Sequence, residues 1–187
     1  MLVLQLLSYF IYSLLLEPNI ETFTSNGSVN IWITRDLNVK NMKPIVLDIK
    51  DIEISSCQVF KVDRTDNEEN LVPDCQYGKN NESYVITLKK TKYPLTNITI
   101  QLSFVSQLTS TLQGFYRGSY YDEQKKNNTW FVSTQFSPID ARRAFPCFDN
   151  PGKKATFKIS LIRPIEKEIS ISNIFNVKYN WFHIFNV

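Results

Sequence analysis

The chain has 187 residues, of which 43% are hydrophobic and 13% aromatic, and it contains five glycines. Its length suits one domain with a proper core, or at most two small ones, and its composition excludes a low-complexity or disordered chain. A net charge of +3, from 21 basic and 18 acidic residues, creates no one-sided field of the kind that a nucleic-acid partner favours.

The first segment, from Met1 to Leu16, is strongly apolar. A signal peptide or a membrane anchor is the first interpretation of such a stretch. However, the segment has no basic region at its start and no small-residue cleavage site, and it is short for a membrane span. These features weigh against both interpretations.

From Gly27 onward, apolar residues recur with a period of two, which is typical of strands with one buried face. The clearest run is 98–104, where Ile, Ile, Leu and Phe alternate with polar residues. Other runs of this kind are 29–33, 45–50, 52–54, 84–88, 130–136, 155–161 and 168–172. Since no amphipathic helix of useful length interrupts them, the pattern predicts a mostly β domain, an antiparallel sandwich or saddle.

The interval 61–83 is the longest polar stretch and is interpreted as a solvated loop between strands. Cys57 and Cys75 flank its first part. In an oxidising compartment a disulfide between them would close a loop of about 18 residues and contribute roughly 3 kcal/mol in the chain-entropy model. The alternative is that both are unpaired small hydrophobic residues, and the sequence leaves this open.

Four N-glycosylation sequons bear on the compartment. They fall in predicted turns or on a polar strand face, and two or three would arise by chance in a chain so rich in Asn, Ser and Thr. Their placement favours a cell-surface or secreted setting, with a cytoplasmic one as the alternative. The four acceptor residues are Asn26, Asn81, Asn97 and Asn127.

Residues 134–157, here called the signature segment, hold the densest local chemistry of the chain. Ser137 followed by Pro138, with Asp140 three residues on, predicts a capped helix with proline at its first position. This helix must be short, because the residue before Pro146 is pushed out of the helical region. An Asp-Asn-Pro-Gly turn then leads back into a strand.

The signature segment resembles part of the aminopeptidase N family of zinc metallopeptidases, where it ends the N-terminal β-domain and touches the active-site cleft. The matching runs are Thr134-Gln-Phe and Asp140-Ala-Arg-Arg-Ala-Phe-Pro-Cys-Phe-Asp149. Two further runs are similar to the family, namely Gly114-Phe-Tyr-Arg-Gly-Ser-Tyr120 and Tyr12-x-Leu14-x-Leu16. The second resembles the family's first strand, which implies that Leu14 and Leu16 are core residues.

The resemblance divides the chain into three parts. Residues 1–11 are a truncated start or the remnant of a leader, 12–173 are the N-terminal β-domain, and 174–187 are a tail unlike the family. Because the tail shows no period-two pattern continuous with the strand before it, we expect it not to dock on the β core.

The resemblance implies a parent enzyme that uses zinc to release N-terminal residues from peptide substrates, and it leaves membrane association open. The family's His-Glu-x-x-His motif and its Gly-x-Met-Glu-Asn loop are both absent from this chain. The single histidine, His183, lies in the tail and cannot build a zinc site with the usual spacing. We therefore expect this chain to bind no cofactor, to carry no catalytic residue and to help shape the substrate-binding cleft.

Two residues are candidates for substrate binding. The family counterpart of Gln135 projects into the cleft and helps shape the first subsite, while the residue two positions on binds the substrate's amino group. That position is Ser137 here, where the family has Glu or Gln. On a strand, Gln135 and Ser137 share one side and Phe136 points into the core.

The other polar residues of the signature segment have a structural alternative. The charged residues either act on a substrate or pair with one another to hold the turn, and the second interpretation is favoured. These residues are Asp140, Arg142, Arg143 and Asp149. Cys147 is interpreted as a buried packing residue, because nothing nearby in the sequence could act as the base of a nucleophile.

A different class of function fits the same features. A glycosylated, non-catalytic β-sandwich at the cell surface, or a secreted one, would serve as a binding or decoy domain. The transcript beyond the codon for Asn173 separates the two classes, since the enzyme requires that it encode the missing motifs.

We expect the isolated chain to bind no zinc stoichiometrically and to cleave no aminoacyl substrate, because a zinc site of this kind needs three protein ligands. Metal analysis of the purified chain and an assay with chromogenic aminoacyl substrates check this expectation. Metal-dependent turnover that survives substitution of His183 would contradict it.

Overall fold

The fold, taken from a computed structural model, is described for residues 9–34, 44–62, 68–88, 97–162 and 183–186. These residues form twelve strands and two short 3-10 turns, so the prediction of a mostly β domain is confirmed. In chain order the strands are β1 (Tyr9–Asn19), β2 (Thr24–Thr34), β3 (Ile45–Asp48), β4 (Ile52–Val62), β5 (Glu68–Asn70), β6 (Asp74–Tyr77), β7 (Ser83–Thr87), β8 (Asn97–Gln107), β9 (Gly114–Asp122), β10 (Asn127–Gln135), β11 (Ala155–Leu161) and β12 (His183–Asn186). The 3-10 turns are Lys79–Asn81 and Ala141–Arg143.

A seven-stranded sheet in the order β12-β11-β1-β2-β8-β4-β5 forms the main scaffold. Its neighbouring strands are antiparallel except β1 and β11, which are parallel. The alternation predicted for β8 is confirmed, because Ile100, Leu102 and Phe104 are buried on one face. Leu14 and Leu16 of β1 are buried as expected.

The centre of this sheet contains a glycine for a steric reason. Gly27 of β2 pairs with Phe104 of β8, and the Phe104 ring fills the space that a Cβ atom at residue 27 would occupy. A side chain at Gly27 would therefore displace a buried ring from the core.

A three-stranded sheet in the order β3-β7-β6 packs into the same core. Its Leu47 and Ile86 are fully buried among side chains of the larger sheet. The two sheets are also linked covalently, since Cys57 of β4 and Cys75 of β6 form a disulfide. Strands β9 and β10 form a two-stranded hairpin, and Tyr116 of β9 also forms an isolated parallel bridge with Thr109.

The ends of the chain differ from the sequence-based expectations. Strand β1 begins at Tyr9, three residues before the expected start at Tyr12. The predicted strand 168–172 lies outside the described residues. The expectation that the tail does not dock is wrong for His183–Asn186, which pairs with β11 at the sheet edge. An edge strand is held by main-chain hydrogen bonds, so it needs no alternating apolar pattern.

The described residues contain no helix that is long and apolar enough to span a membrane.

We expect replacement of both Cys57 and Cys75 by serine to lower the free energy of unfolding by about 3 kcal/mol. The disulfide restricts the conformations of the unfolded chain, and its loss would raise the entropy of that state. Urea denaturation of the oxidised protein measures this loss. A reducing agent should lower the stability of the wild-type chain. The double variant is the control, because it has no disulfide to reduce and its stability should not change. Equal unfolding midpoints for the oxidised and reduced wild type would rule the disulfide out as a source of stability.

Candidate functional site

The signature segment begins where β10 ends and folds back over the core. The side chain of Phe136 packs against the core, with its ring centre 6.0 Å from that of Phe145. The main-chain N–H of Asp140 donates to the Phe136 carbonyl oxygen over 2.8 Å, and a single 3-10 turn follows. The segment therefore contains the one helical turn that the sequence predicts.

The start of that turn is a correction to the sequence analysis. The prediction that Ser137 caps a helix beginning at Pro138 is wrong, because the helical residues begin at Ala141. Asp140 precedes them without capping them through its side chain. Its carboxylate instead accepts a hydrogen bond from Nε of Arg143 over 3.0 Å. The polar groups of this turn are thus used for ion pairing rather than for a cap.

Aromatic side chains pack between the signature segment and strand β1. The ring of Tyr12 stacks on Phe157 at 4.7 Å and meets the edge of Phe145 at 6.3 Å. The Tyr12 hydroxyl oxygen accepts a hydrogen bond from the main-chain N–H of Phe148 over 3.2 Å. Burial raises the pKa of Tyr12 above its usual value, so the hydroxyl stays protonated at neutral pH.

Cys147 lies in the core as a free thiol. Burial raises the pKa of the thiol, and the carboxylates of Asp149 and Asp48 raise it further. Because the thiolate is the nucleophilic form, this environment supports a packing role for Cys147 rather than a catalytic one.

The charged residues of the signature segment form two adjacent ion-pair groups. Nε of Arg142 lies 2.9 Å from Oδ2 of Asp149, and its Nη1 lies 3.5 Å from Oδ1 of Asp48. Arg143 in turn contacts Asp140 at 3.0 Å and Asp51 at 2.6 Å. This arrangement supports the interpretation that the charges hold the turn in place.

Asp48 and Asp51 are the residues that sequence reasoning missed. Asp48 is the last residue of β3, 101 positions from Asp149, and Asp51 lies shortly after β3, 92 positions from Arg143. Their spacing matches no motif. The available signal was two aspartates at the end of a predicted strand, which is an ordinary feature of turns.

Main-chain hydrogen bonds reinforce this clamp, defined here as Arg142 with Asp48 and Asp149. Asp48 and Cys147 form an isolated antiparallel bridge, in which the N–H of each donates to the carbonyl of the other over 2.7 and 3.2 Å. The N–H of Lys50 donates to the Arg142 carbonyl over 2.9 Å. The signature segment is therefore paired with the end of β3 and attached to the three-stranded sheet.

The environment of Arg142 favours its charged form. Burial alone would lower the pKa of Arg142, but the hydrogen bond to Asp149 and the charge of Asp48 outweigh it and raise that pKa. The guanidinium therefore stays charged throughout the physiological range.

Both candidate substrate-binding residues are exposed where β10 ends. The side-chain amide nitrogen of Gln135 lies 3.4 Å from the carbonyl oxygen of Ser137, to which it donates. Phe136, between them, is half-buried and packs toward the core. The structure thus brings Gln135 and Ser137 together on one surface, and their contact with a substrate stays a prediction.

Gly114 connects this surface to the clamp region. It pairs with Gln135 in the hairpin register and has φ of +67°. The space beside its Cα is filled by Cβ of Arg143 and by the carbonyl oxygen of Asp140. Glycine suits this position because it adopts positive φ at no steric cost and leaves room for the close approach.

A cation–aromatic stack holds the inner side of the hairpin. The guanidinium carbon of Arg117 lies 3.4 Å from the ring centre of Phe23 and 5.4 Å from that of Trp130. Its Nε and Nη1 atoms are buried and have no hydrogen-bond partner in the part of the chain that the structure describes. Stacking of the cation on two aromatic rings is the interaction that fixes this side chain.

The four sequon asparagines lie on or near the surface. Asn26, Asn81 and Asn127 are exposed, whereas Asn97 is half-buried at the start of β8. Glycosylation at each of them stays a prediction.

Within the described ranges, no group of three or more His, Cys, Asp or Glu side chains is placed to hold a metal ion. The four aspartates around Arg142 and Arg143 are each paired with an arginine. These residues therefore do not fit a zinc site of the usual ligand set.

Comparison with known proteins gives a consistent set of relatives. The family model of the peptidase M1 N-terminal domain matches residues 10–180. The chain is 35% identical over 156 residues to the membrane alanyl aminopeptidase of Manduca sexta, with 82% of this chain and 15% of the relative covered. It is 33% identical over 154 residues to "Aminopeptidase 2, mitochondrial" of Saccharomyces cerevisiae, with 81% and 15% covered.

A third relative is the glutamyl aminopeptidase of Bos taurus, 31% identical over 178 residues, with 88% of this chain and 18% of the relative covered. The chain thus spans less than a fifth of the length of these relatives.

We expect Arg142→Met to lower the free energy of unfolding by about 3 kcal/mol, because it leaves two partly buried carboxylates without their counter-ion. Chemical denaturation with tryptophan fluorescence measures the loss. Lys50→Met is the matched control, because Lys50 and Glu82 also form an ion pair of 2.9 Å. The side chains of this control pair are 37% and 53% exposed. Those of Arg142 and Asp149 are only 19% and 12% exposed. An effect of Arg142→Met no larger than that of the control would show that the clamp is an ordinary surface pair.

Proposed function

Because the chain belongs to the family of the peptidase M1 N-terminal domain, we propose that it is the N-terminal β-domain of a zinc-dependent aminopeptidase. Such an enzyme releases N-terminal residues from peptides. On this proposal the chain carries no catalytic group and contributes one wall of the substrate cleft. The aminopeptidase relatives, of which it spans 15% to 18%, support this assignment.

The observation that carries the cleft role is the placement of Gln135. Its side chain is exposed at the end of β10, and the residue pairs in register with Gly114, which packs on Arg143. A glutamine amide offers both a donor and an acceptor, so it suits the main-chain and amino groups of a peptide end. A residue held by a strand on one side and an ion-paired turn on the other is positioned before the substrate arrives, which favours binding.

Ser137 marks a departure from the family. A carboxylate at this position would bind a substrate ammonium group through a charge-assisted hydrogen bond, roughly twice as strong as a neutral one. The serine hydroxyl is short and uncharged, so the parent enzyme would bind the substrate amino group more weakly at this point.

Zinc belongs to the part of the proposed enzyme that this chain does not contain. When bound there, it would polarise the scissile carbonyl and activate a water molecule. The described residues supply no ligands for it, and their proposed roles are to bind and orient the peptide.

The compartment proposed for the enzyme is the cell surface or the extracellular space. The Cys57–Cys75 disulfide and the exposed asparagines at Asn26, Asn81 and Asn127 support this setting. The names of the relatives include both a membrane enzyme and a mitochondrial one, so they do not choose between compartments. Loss of mass on treatment with an N-glycosidase, for protein expressed through a secretory pathway, tests the proposal; unmodified asparagines would count against it.

The cleft role is tested in a chimera in which this chain replaces the matching domain of the Manduca sexta relative. We expect Ser137→Glu to lower the KM for a neutral aminoacyl substrate by about tenfold, the effect of one charge-assisted hydrogen bond. Gln135→Ala should raise the KM by a similar factor. Steady-state kinetics measure both.

The control for these kinetics is Gln101→Ala, a glutamine on β8 far along the chain from the signature segment, which should leave the KM unchanged. If neither Ser137→Glu nor Gln135→Ala changes the KM while the chimera stays folded and active, this chain does not contact the substrate.

A further inference from the structure

A cavity of about 580 Å³, here called the Tyr77 cavity, opens between the turn that joins β6 to β7 and the strands β4 and β8 of the larger sheet. Its size falls within the roughly 300–1,000 Å³ of sites that hold small ligands. Most of its lining residues are polar, and their charges have both signs. Besides Asn81, the polar ones are Lys50, Asp51, Glu53, Asn80, Glu82 and Gln107. This lining suits a neutral ligand with many hydrogen-bonding groups.

The ring of Tyr77 gives the cavity a fixed apolar surface. It is 42% exposed and forms part of the wall. Its hydroxyl oxygen accepts a hydrogen bond from the main-chain N–H of Ile54 over 2.7 Å, and its ring meets the edge of Tyr84 at 5.3 Å. A sugar ring presents C–H groups on one face and hydroxyl groups around its rim. A fixed aromatic ring among polar side chains is therefore complementary to a sugar.

The cavity wall also carries an attachment point for a sugar. Asn81, the acceptor of the sequon Asn81-Glu-Ser83, is exposed and lines the cavity. It lies four positions after Tyr77, in a turn closed by two main-chain hydrogen bonds. The N–H of Gly78 donates to the Ser83 carbonyl over 2.8 Å, and the N–H of Asn81 donates to the Gly78 carbonyl over 3.3 Å. A glycan on Asn81 would thus begin at the cavity wall.

The attachment point favours this glycan over an external sugar as the occupant. A tethered ligand has a high effective concentration at a site that its tether can reach. The other acceptor asparagines, Asn26, Asn97 and Asn127, are not among the residues that line the cavity. Any such effect should therefore be specific to Asn81.

We infer that the Tyr77 cavity binds the glycan attached to Asn81, with its first N-acetylglucosamine units packed on the Tyr77 ring. The inference rests on the extracellular compartment proposed above. On this assignment the glycan connects the turn between β6 and β7 to β4 and β8. A ligand that binds only the folded state stabilises it, so this glycan stabilises the contact between the two sheets.

The test compares Asn81→Asp with the wild type in protein from two sources. One is a secretory host that adds glycans, and the other is a bacterial periplasm, which forms disulfides without adding them. Aspartate is close to asparagine in size and also tolerates the positive φ of 55° at this residue. We expect the loss of thermal midpoint to be about 3 °C larger in the glycosylated protein. Equal losses would overturn the inference.

The matched controls are Asn26→Asp and Asn127→Asp, which remove sequons at exposed positions outside the cavity. Each should lower the thermal midpoint equally in the two preparations. An excess loss as large as that of Asn81→Asp would show that glycans stabilise this domain wherever they are attached, and the inference would be wrong.

Substitutions of Tyr77 test the proposed contact. Tyr77→Leu removes the ring and should abolish the excess loss caused by Asn81→Asp, whereas Tyr77→Phe retains the ring and should preserve it. The control is Tyr120→Leu, at a strand tyrosine that is 54% exposed, and it should also preserve the excess. An excess that survives Tyr77→Leu would mean that the glycan acts outside the cavity.

Peptide mass spectrometry of the secreted protein separates this inference from the proposed compartment. An unmodified Asn81 overturns the inference, while glycans at Asn26 or Asn127 would leave the compartment intact. A glycan at Asn81 without the excess loss supports the compartment and overturns the inference. Calorimetric titration with free chitobiose tests an external ligand. If the glycosylated protein binds it and Tyr77→Leu abolishes that binding, the cavity is open to external sugars and the inference is wrong.

Discussion

The ion pairs of Arg142 with Asp149 and Asp48 are the constraint on which the proposed site depends. Asp149 belongs to the returning half of the signature segment, Arg142 to its helical turn and Asp48 to β3. One guanidinium therefore fixes both halves of the segment relative to the three-stranded sheet. The Asp48–Cys147 bridge adds two main-chain hydrogen bonds at the same point. Because a buried pair mainly penalises loss of one partner, the clamp selects a geometry more than it adds net stability.

Short contacts connect the clamp to the surface that carries Gln135. Arg143, the neighbour of Arg142, bonds Asp140 and Asp51 and packs its Cβ atom against Gly114. Gly114 pairs with Gln135, so the proposed substrate contact is two steps from the ion pairs. On its other side the hairpin is held by Arg117, stacked on Phe23. A site built in this way needs little rearrangement on binding, which is an advantage for affinity.

The inner face of the β9–β10 hairpin joins the core of this domain, and the end of the hairpin carries Gln135 and Ser137. Ser137 is exposed, so a longer side chain would have room at this position.

The local pattern of the sequence predicts most of the longer strands and which of their faces are buried, but it misses β5 and β6, which lie in the interval 61–83 interpreted as a loop. Side chains on a strand point alternately to its two faces, so a strand with one buried face shows alternating apolar and polar residues. Strand β8 and the residues Leu14 and Leu16 are examples. The signature segment is recognisable from the sequence because its residues are consecutive. The sequence also predicts its single helical turn, but the turn begins at Ala141 rather than at Pro138.

Only the tertiary structure decided which distant groups meet. Asp48 and Asp51 become partners of Arg142 and Arg143 because two sheets share one core, and no local spacing encodes that encounter. The parallel pairing of β1 with β11 and the edge strand β12 depend on main-chain hydrogen bonds. Every residue except proline has the same main-chain donor and acceptor, so the sequence indicates that a strand will pair but not with which neighbour.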